Sequence, residues 1–101
     1  MSAWYVYVIE CRDGSLYTGI ALDVERRYAQ HLAGKGARYT RSRPPLRLLA
    51  RFIHPDRSSA LRAEYAIKQL SATAKRRLCA QAGAEIPAEA SIEAPVEAAS
   101  G

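Results

Sequence analysis

Residues 4–20, WYVYVIECRDGSLYTGI, constrain the fold more than any other stretch of the chain. Two runs rich in Val, Ile and Tyr flank Asp13-Gly14, the pattern of a β-hairpin with strands over 4–10 and 15–21. Side chains alternate faces along a strand, so loop length decides where the tyrosines point. A two-residue loop, Asp13-Gly14, would pair Tyr7 with Ile20 and Tyr17 with Glu10, putting the two phenols on opposite faces. A three-residue loop, Arg12-Asp13-Gly14, would place Gly14 in the left-handed position that such loops call for. Tyr7 would then face Gly19, Tyr17 would face Ile9, and both phenols would share one face. The sequence leaves both registers open.

Downstream of the hairpin, Asp23 is placed to cap a helix that runs to Leu32 or Ala33 and ends at Gly34. Val24, Tyr28 and Leu32 recur every four residues and are expected to form its buried stripe. Residues 34–45 hold Gly34, Gly36, Pro44 and Pro45 and read as a loop. LRLLARFI, 46–53, reads as a third strand that Pro55 stops. Asp56 or Ser58 would cap a second helix through about Leu70, with Ala60, Ala63, Ile67 and Leu70 on its apolar face. Ser71 would cap a third helix to about Ala82. The expected fold is α/β (α+β): a small three-stranded antiparallel or mixed sheet flanked by helices, in the order ββαβαα.

The chain of 101 residues suffices for one small domain. Its charge is uneven. Residues 83–101 contain Glu85, Glu89, Glu93 and Glu97 and no Lys or Arg. Taking those four glutamates from a chain of net +5 leaves +9 on residues 1–82. A body so basic points to an anionic partner, nucleic acid first. The segment from Gly83 onward is Ala, Glu, Pro and Ser with few large side chains, too little apolar surface to offset its ordering entropy. Two units are therefore expected, a folded domain over 1–82 and an acidic disordered tail over 83–101. Cys11 and Cys79 make no C-x-x-C and no cluster with His31 and His54, which argues against a zinc site and for free thiols in a reducing compartment. The N-terminus lacks the pattern of a secretory signal, and no stretch approaches the ~20 apolar residues of a membrane span. A cytoplasmic protein is expected.

Three further stretches carry candidate chemistry. In DVERRYAQH, 23–31, Arg27 and His31 are i, i+4 neighbours beside the apolar stripe, where a guanidinium would hold a phosphate. Taken singly, Arg27 reads as a surface charge and His31 as a packing or surface residue. In ALRAEYAIKQL, 60–70, Glu64 lies about 40° around the helix from Ala60, at the margin of the apolar face. A carboxylate there needs a partner, either a nearby Arg or Lys or a divalent cation. Between these helices, Lys35, Arg38, Arg41, Arg43, Arg47 and Arg51 fall in 34–53 around Tyr39, with no acidic residue among them. Like charges this dense call for an anion between them, and phosphate is the natural one.

The ordered set YVY, YTG, DVERRYAQH and ALRAEYAIKQL resembles the GIY-YIG nuclease superfamily, and within it the small single-domain bacterial YhbQ-like proteins. The resemblance runs from residue 4 to about 80. Tyr5 stands where the first motif has Gly, Thr18 stands where the second has Ile, and no late Asn of the family pattern is found. The resemblance implies a metal-dependent DNA endonuclease that hydrolyses phosphodiester bonds, selective for structure rather than sequence, in DNA repair or recombination. It implies catalytic roles for Tyr7, Tyr17, Arg27, His31 and Glu64, with Glu64 holding Mg²⁺ or Mn²⁺. Lys35, Arg38, Tyr39, Arg41, Arg43, Arg47 and Arg51 would bind the nucleic acid, most naturally DNA. A monomer is expected, or one acting with a separate partner protein, and no membrane is involved. The rival reading is a non-catalytic module that binds DNA or structured RNA with the same basic face. A second rival is a structural domain whose acidic tail contacts a partner protein.

Overall fold

A computed structural model describes residues 3–85. The hairpin forms from β1 (Trp4–Cys11) and β2 (Leu16–Ala21). Its register pairs Tyr7 with Gly19 and Ile9 with Tyr17, that of the three-residue loop. Gly14 has φ +88°, and its N–H donates to the Cys11 carbonyl at 2.9 Å. A side chain at that φ would be strained, so glycine there stabilises this loop over the shorter one. Both tyrosines consequently project from one face.

The chain continues through α1 (Val24–Leu32), α2 (Arg38–Ser42), β3 (Pro45–His54), α3 (Arg57–Lys68) and α4 (Ala72–Glu85). The sheet is antiparallel throughout, in the order β2-β1-β3. The central strand is covered on both faces. Val6 and Val8 join Ala50, Ala60, Ile67, Cys79 and Ala82 under α3 and α4. Tyr7, Ile9 and Cys11 join Ala21 and Val24 on the opposite face, with Tyr17, Tyr28 and Tyr39 packed against them. One face is thus an aliphatic core and the other is rich in phenols.

Side-chain caps begin the helices where expected. Asp23 accepts from the Arg26 N–H at 3.0 Å, Asp56 from the Ser59 N–H at 2.8 Å, and the Ser71 hydroxyl from the Ala74 N–H at 3.1 Å. Several expectations need correction. Leu32 is exposed, and the buried stripe of α1 instead runs through Val24, half-buried Tyr28 and His31. The i, i+4, i+7 spacing keeps these three on one face, and Leu32 lies a further 100° around the helix. Leu70 is exposed because α3 ends at Lys68, two residues short of it. The segment 34–45 is not all loop, since it contains α2. The last helix continues through Gly83 and Ala84 to Glu85. The remainder of the expected acidic tail lies outside the described residues. No helix among the described residues is long and apolar enough to cross a membrane.

The chain turns at Gly34, which has φ +77°. There the Lys35 N–H donates to the Gln30 carbonyl at 2.9 Å and the Gly34 N–H to the His31 carbonyl at 3.1 Å. This pair of bonds around a left-handed glycine stops the helix and folds the chain back over its last turn. Gly36 is thereby laid against the His31 ring.

Candidate active site

The phenol-rich face holds a buried polar chain. The Tyr7 hydroxyl lies 2.9 Å from His31 Nε2, and His31 Nδ1 lies 2.6 Å from Thr40 Oγ1. Thr40 donates to the Ala37 carbonyl at 3.0 Å. Tyr7, His31 and Thr40 are each about 1% exposed. Tyr17 packs above them, its ring centroid 6.3 Å from that of Tyr7 and 5.2 Å from that of His31. Gly19 opens the space. A Cβ there would come within 2.6 Å of the Tyr7 oxygen and 3.1 Å of the Tyr17 ring. Any larger residue would push the two phenols out of place.

Arg27 reaches this cluster from α1. Its guanidinium donates to Gln30 Oε1 at 2.8 Å and interacts with the Tyr7 phenol. Glu64 of α3 acts on the same phenol through space, and its carboxylate pairs with Lys68 at 3.3 Å. Burial and then the neighbouring Tyr17 push the Tyr7 pKa up to about 12, against the lowering effect of Arg27. Burial, with the Arg27 charge second, brings His31 down to about 4. At neutral pH the pair is therefore an un-ionised phenol beside a neutral imidazole, a donor facing an acceptor.

Of the expected cluster, Tyr7, Tyr17 and His31 are in contact and Arg27 interacts with the Tyr7 phenol, whereas Glu64, on α3, acts on that phenol only through its charge. The basic segment is more divided. Arg43 pairs with Asp13 at 3.2 Å, Arg47 with Glu10 at 2.6 Å, and Arg51 with Glu25 at 2.6 Å. The anions that the charge density called for are, at these three positions, the chain's own carboxylates on other elements. Arg43 also lies over the Tyr39 ring at 4.7 Å, and Tyr39 packs on Tyr17 at 5.7 Å. The aromatic stack on the site therefore continues from His31 through Tyr17 and Tyr39 to a guanidinium. Lys35, Arg38 and Arg41 are exposed. Sequence reasoning missed Gly36 and Thr40, which bracket the far side of His31. Arg51, expected among the nucleic-acid-binding residues, sits opposite Tyr7 on β3. The one hint was Gly36, a second glycine two residues after a helix stop.

The family model of the GIY-YIG catalytic domain matches residues 3–77. The chain belongs to the GIY-YIG family. A UPF0213 protein of Cupriavidus necator is 58% identical over 80 residues, covering 79% of this chain and 87% of that one. The UPF0213 protein YhbQ of Escherichia coli O8 is 52% identical over 81 residues, covering 80% and 81%. Among solved structures, a protein from E. faecalis is 36% identical with a TM-score of 0.52, covering 77% of this chain and 88% of that one. The solution structure of a UPF0213 protein from Bacillus halodurans is 50% identical with a TM-score of 0.48, covering 75% and 81%. The GIY-YIG match spans both tyrosine motifs, α1 and α3, the elements that carry Tyr7, Tyr17, Arg27, His31 and Glu64.

Proposed function

We propose that this GIY-YIG domain is a metal-dependent endonuclease that hydrolyses phosphodiester bonds in DNA, selecting by shape and serving repair or recombination. The observation that carries this reading is the buried 2.9 Å contact between the Tyr7 hydroxyl and His31 Nε2, beside Arg27. A phenol with a pKa near 12 is a poor base when alone. The neutral imidazole gives the phenol proton a destination, and a substrate phosphate bound beside Arg27 would raise His31 from its resting value of about 4. In this reading a water proton moves to the Tyr7 oxygen as the Tyr7 proton moves to His31 Nε2. The hydroxide formed attacks phosphorus, and the bond from phosphorus to the leaving oxygen breaks. The leaving oxygen takes a proton from solvent, and His31 returns its own through Tyr7 as product departs. Arg27 offsets charge on the phosphate, and Tyr17 helps hold the attacking water.

No group of three or more His, Cys, Asp or Glu gathers to hold a metal among the described residues. Glu64 is a single, partly exposed carboxylate that pairs with the half-exposed Lys68. That donor set does not fit an ion held by protein alone. It fits Mg²⁺ or Mn²⁺ held by one carboxylate, water and substrate phosphate. Such an ion would supply charge neutralisation at the scissile phosphate. The exposed Lys35, Arg38 and Arg41 would track the backbone beside the Tyr17–Tyr39 stack, with Arg43, Arg47 and Arg51 held to their carboxylates.

The test is nicking of supercoiled plasmid with Mg²⁺, Mn²⁺ or chelator, by the parent and by Glu64→Gln. The parent should nick only with a divalent cation. Glu64→Gln should lose that activity yet melt within about 1 kcal/mol of the parent, because an ion pair to a half-exposed lysine contributes no more than that. Cation-independent nicking, or full activity in the variant, would remove Glu64 from the metal.

A further inference from the structure

We infer that Thr40 is a positioning residue for the proposed active centre, fixing His31 as the tautomer protonated on Nδ1. This assignment rests on the nuclease reading only for its consequence, not for its geometry. The direction of every hydrogen bond in the buried chain follows from its last member. The Ala37 carbonyl can only accept, so the Thr40 hydroxyl donates its single proton there, at 3.0 Å. Toward His31 the same oxygen can then only accept. Nδ1, 2.6 Å away, must therefore carry the hydrogen. A neutral ring protonated on Nδ1 presents a lone pair on Nε2, and the Tyr7 hydroxyl donates to it. One backbone carbonyl thus sets the polarity of a relay two side chains distant.

The local fold serves this contact. Thr40 is the only buried residue of α2, a five-residue helix whose start has no side-chain cap. Gly36 closes the other side. A Cβ at that position would collide with Nδ1 and stand 2.8 Å from Cε1 and Cγ. The backbone is therefore packed on the ring edge, leaving Thr40 as the partner of Nδ1. Residues 36–40 form a clip around one side of the imidazole. With the opposite tautomer, Nε2–H would face the phenol, Tyr7 would become the acceptor, and the relay would run backwards.

The tautomer is read directly from the ring-nitrogen ¹⁵N shifts of His31, which separate a protonated from a bare nitrogen without any activity assay. The parent and Thr40→Ser, which keeps the hydroxyl, should both show protonated Nδ1 and bare Nε2 at pH 7. Thr40→Val, of nearly the same shape, should move the proton to Nε2. Its nicking rate should fall about ten- to a hundredfold, as outer partners of a reacting group typically cost, with Thr40→Ser restoring it. A parent protonated on Nε2 would overturn the assignment, even if Thr40→Val failed to fold. So would a Thr40→Val ring unchanged from the parent. If Thr40→Val switched the tautomer while nicking stayed at the parent rate, the positioning role would fall, whereas a parent that never nicks but shows protonated Nδ1 would count against the nuclease reading alone.

Discussion

At the scale of single residues, His31 shows how a physical setting outweighs a sequence average. By composition it reads as a packing or surface histidine, because nothing within its own helix reveals that Gly36, Thr40 and Tyr7 will surround it. Those partners come from three elements and become visible only once Gly34 has folded the chain back. Tyr7 and Tyr17 were more legible, since strand parity and a glycine at position 14 reduce their placement to two choices. Buried His31 also makes stability depend on pH. Its pKa is about 4 in the fold, below its ordinary value of 6.5. Between these values the unfolded chain binds more protons than the native one, so stability rises with pH through this window and is lost as pH falls through it. A shift of that size corresponds to a few kcal/mol, at ~1.4 kcal/mol per unit. Thermal melts from pH 7 to 4 should therefore fall more steeply for the parent than for His31→Gln. Parallel curves would mean that the histidine is not held neutral.

At the scale of elements, the strands and long helices were legible because period, caps and breakers agree at each of them. Helix α2 was not. Its flanking Gly and Pro residues read as loop, and its anchor is a tertiary contact through Thr40 rather than a local propensity. Ion pairs between distant elements were equally hidden. Glu10, buried on β1, receives Arg47 from β3 and Arg76 from α4, the latter at 2.9 Å. Arg76 also donates to the Gly14 carbonyl at 2.8 Å, so one side chain ties α4 to the hairpin turn. Arg76→Ala should cost about 1–2 kcal/mol in urea unfolding, in the lower range for hydrogen bonds to charged groups since Arg76 is partly exposed. A variant as stable as the parent would show that Arg47 alone satisfies Glu10.

At the scale of the whole molecule, the excess of positive charge is less available than the sequence suggests. Three of the six basic residues in 34–53 face carboxylates supplied by other elements, so the exposed charge left in this segment is that of Lys35, Arg38 and Arg41 around α2. The salt dependence of DNA binding should reflect this. Arg38→Ala and Arg41→Ala should each flatten the slope of log affinity against log salt by about 1, the effect of losing one phosphate contact. Arg47→Ala should leave the slope unchanged and lower stability instead. Equal effects at all three positions would place the nucleic acid across the whole basic segment. The central claim is that the buried phenol moves a proton, and Tyr7→Phe tests it by removing one oxygen. The single-turnover nicking rate of a supercoiled plasmid should fall by about 10²–10⁴, the range for a lost general base, with DNA affinity unchanged; a Tyr7→Phe protein that nicks at the parent rate would contradict the account.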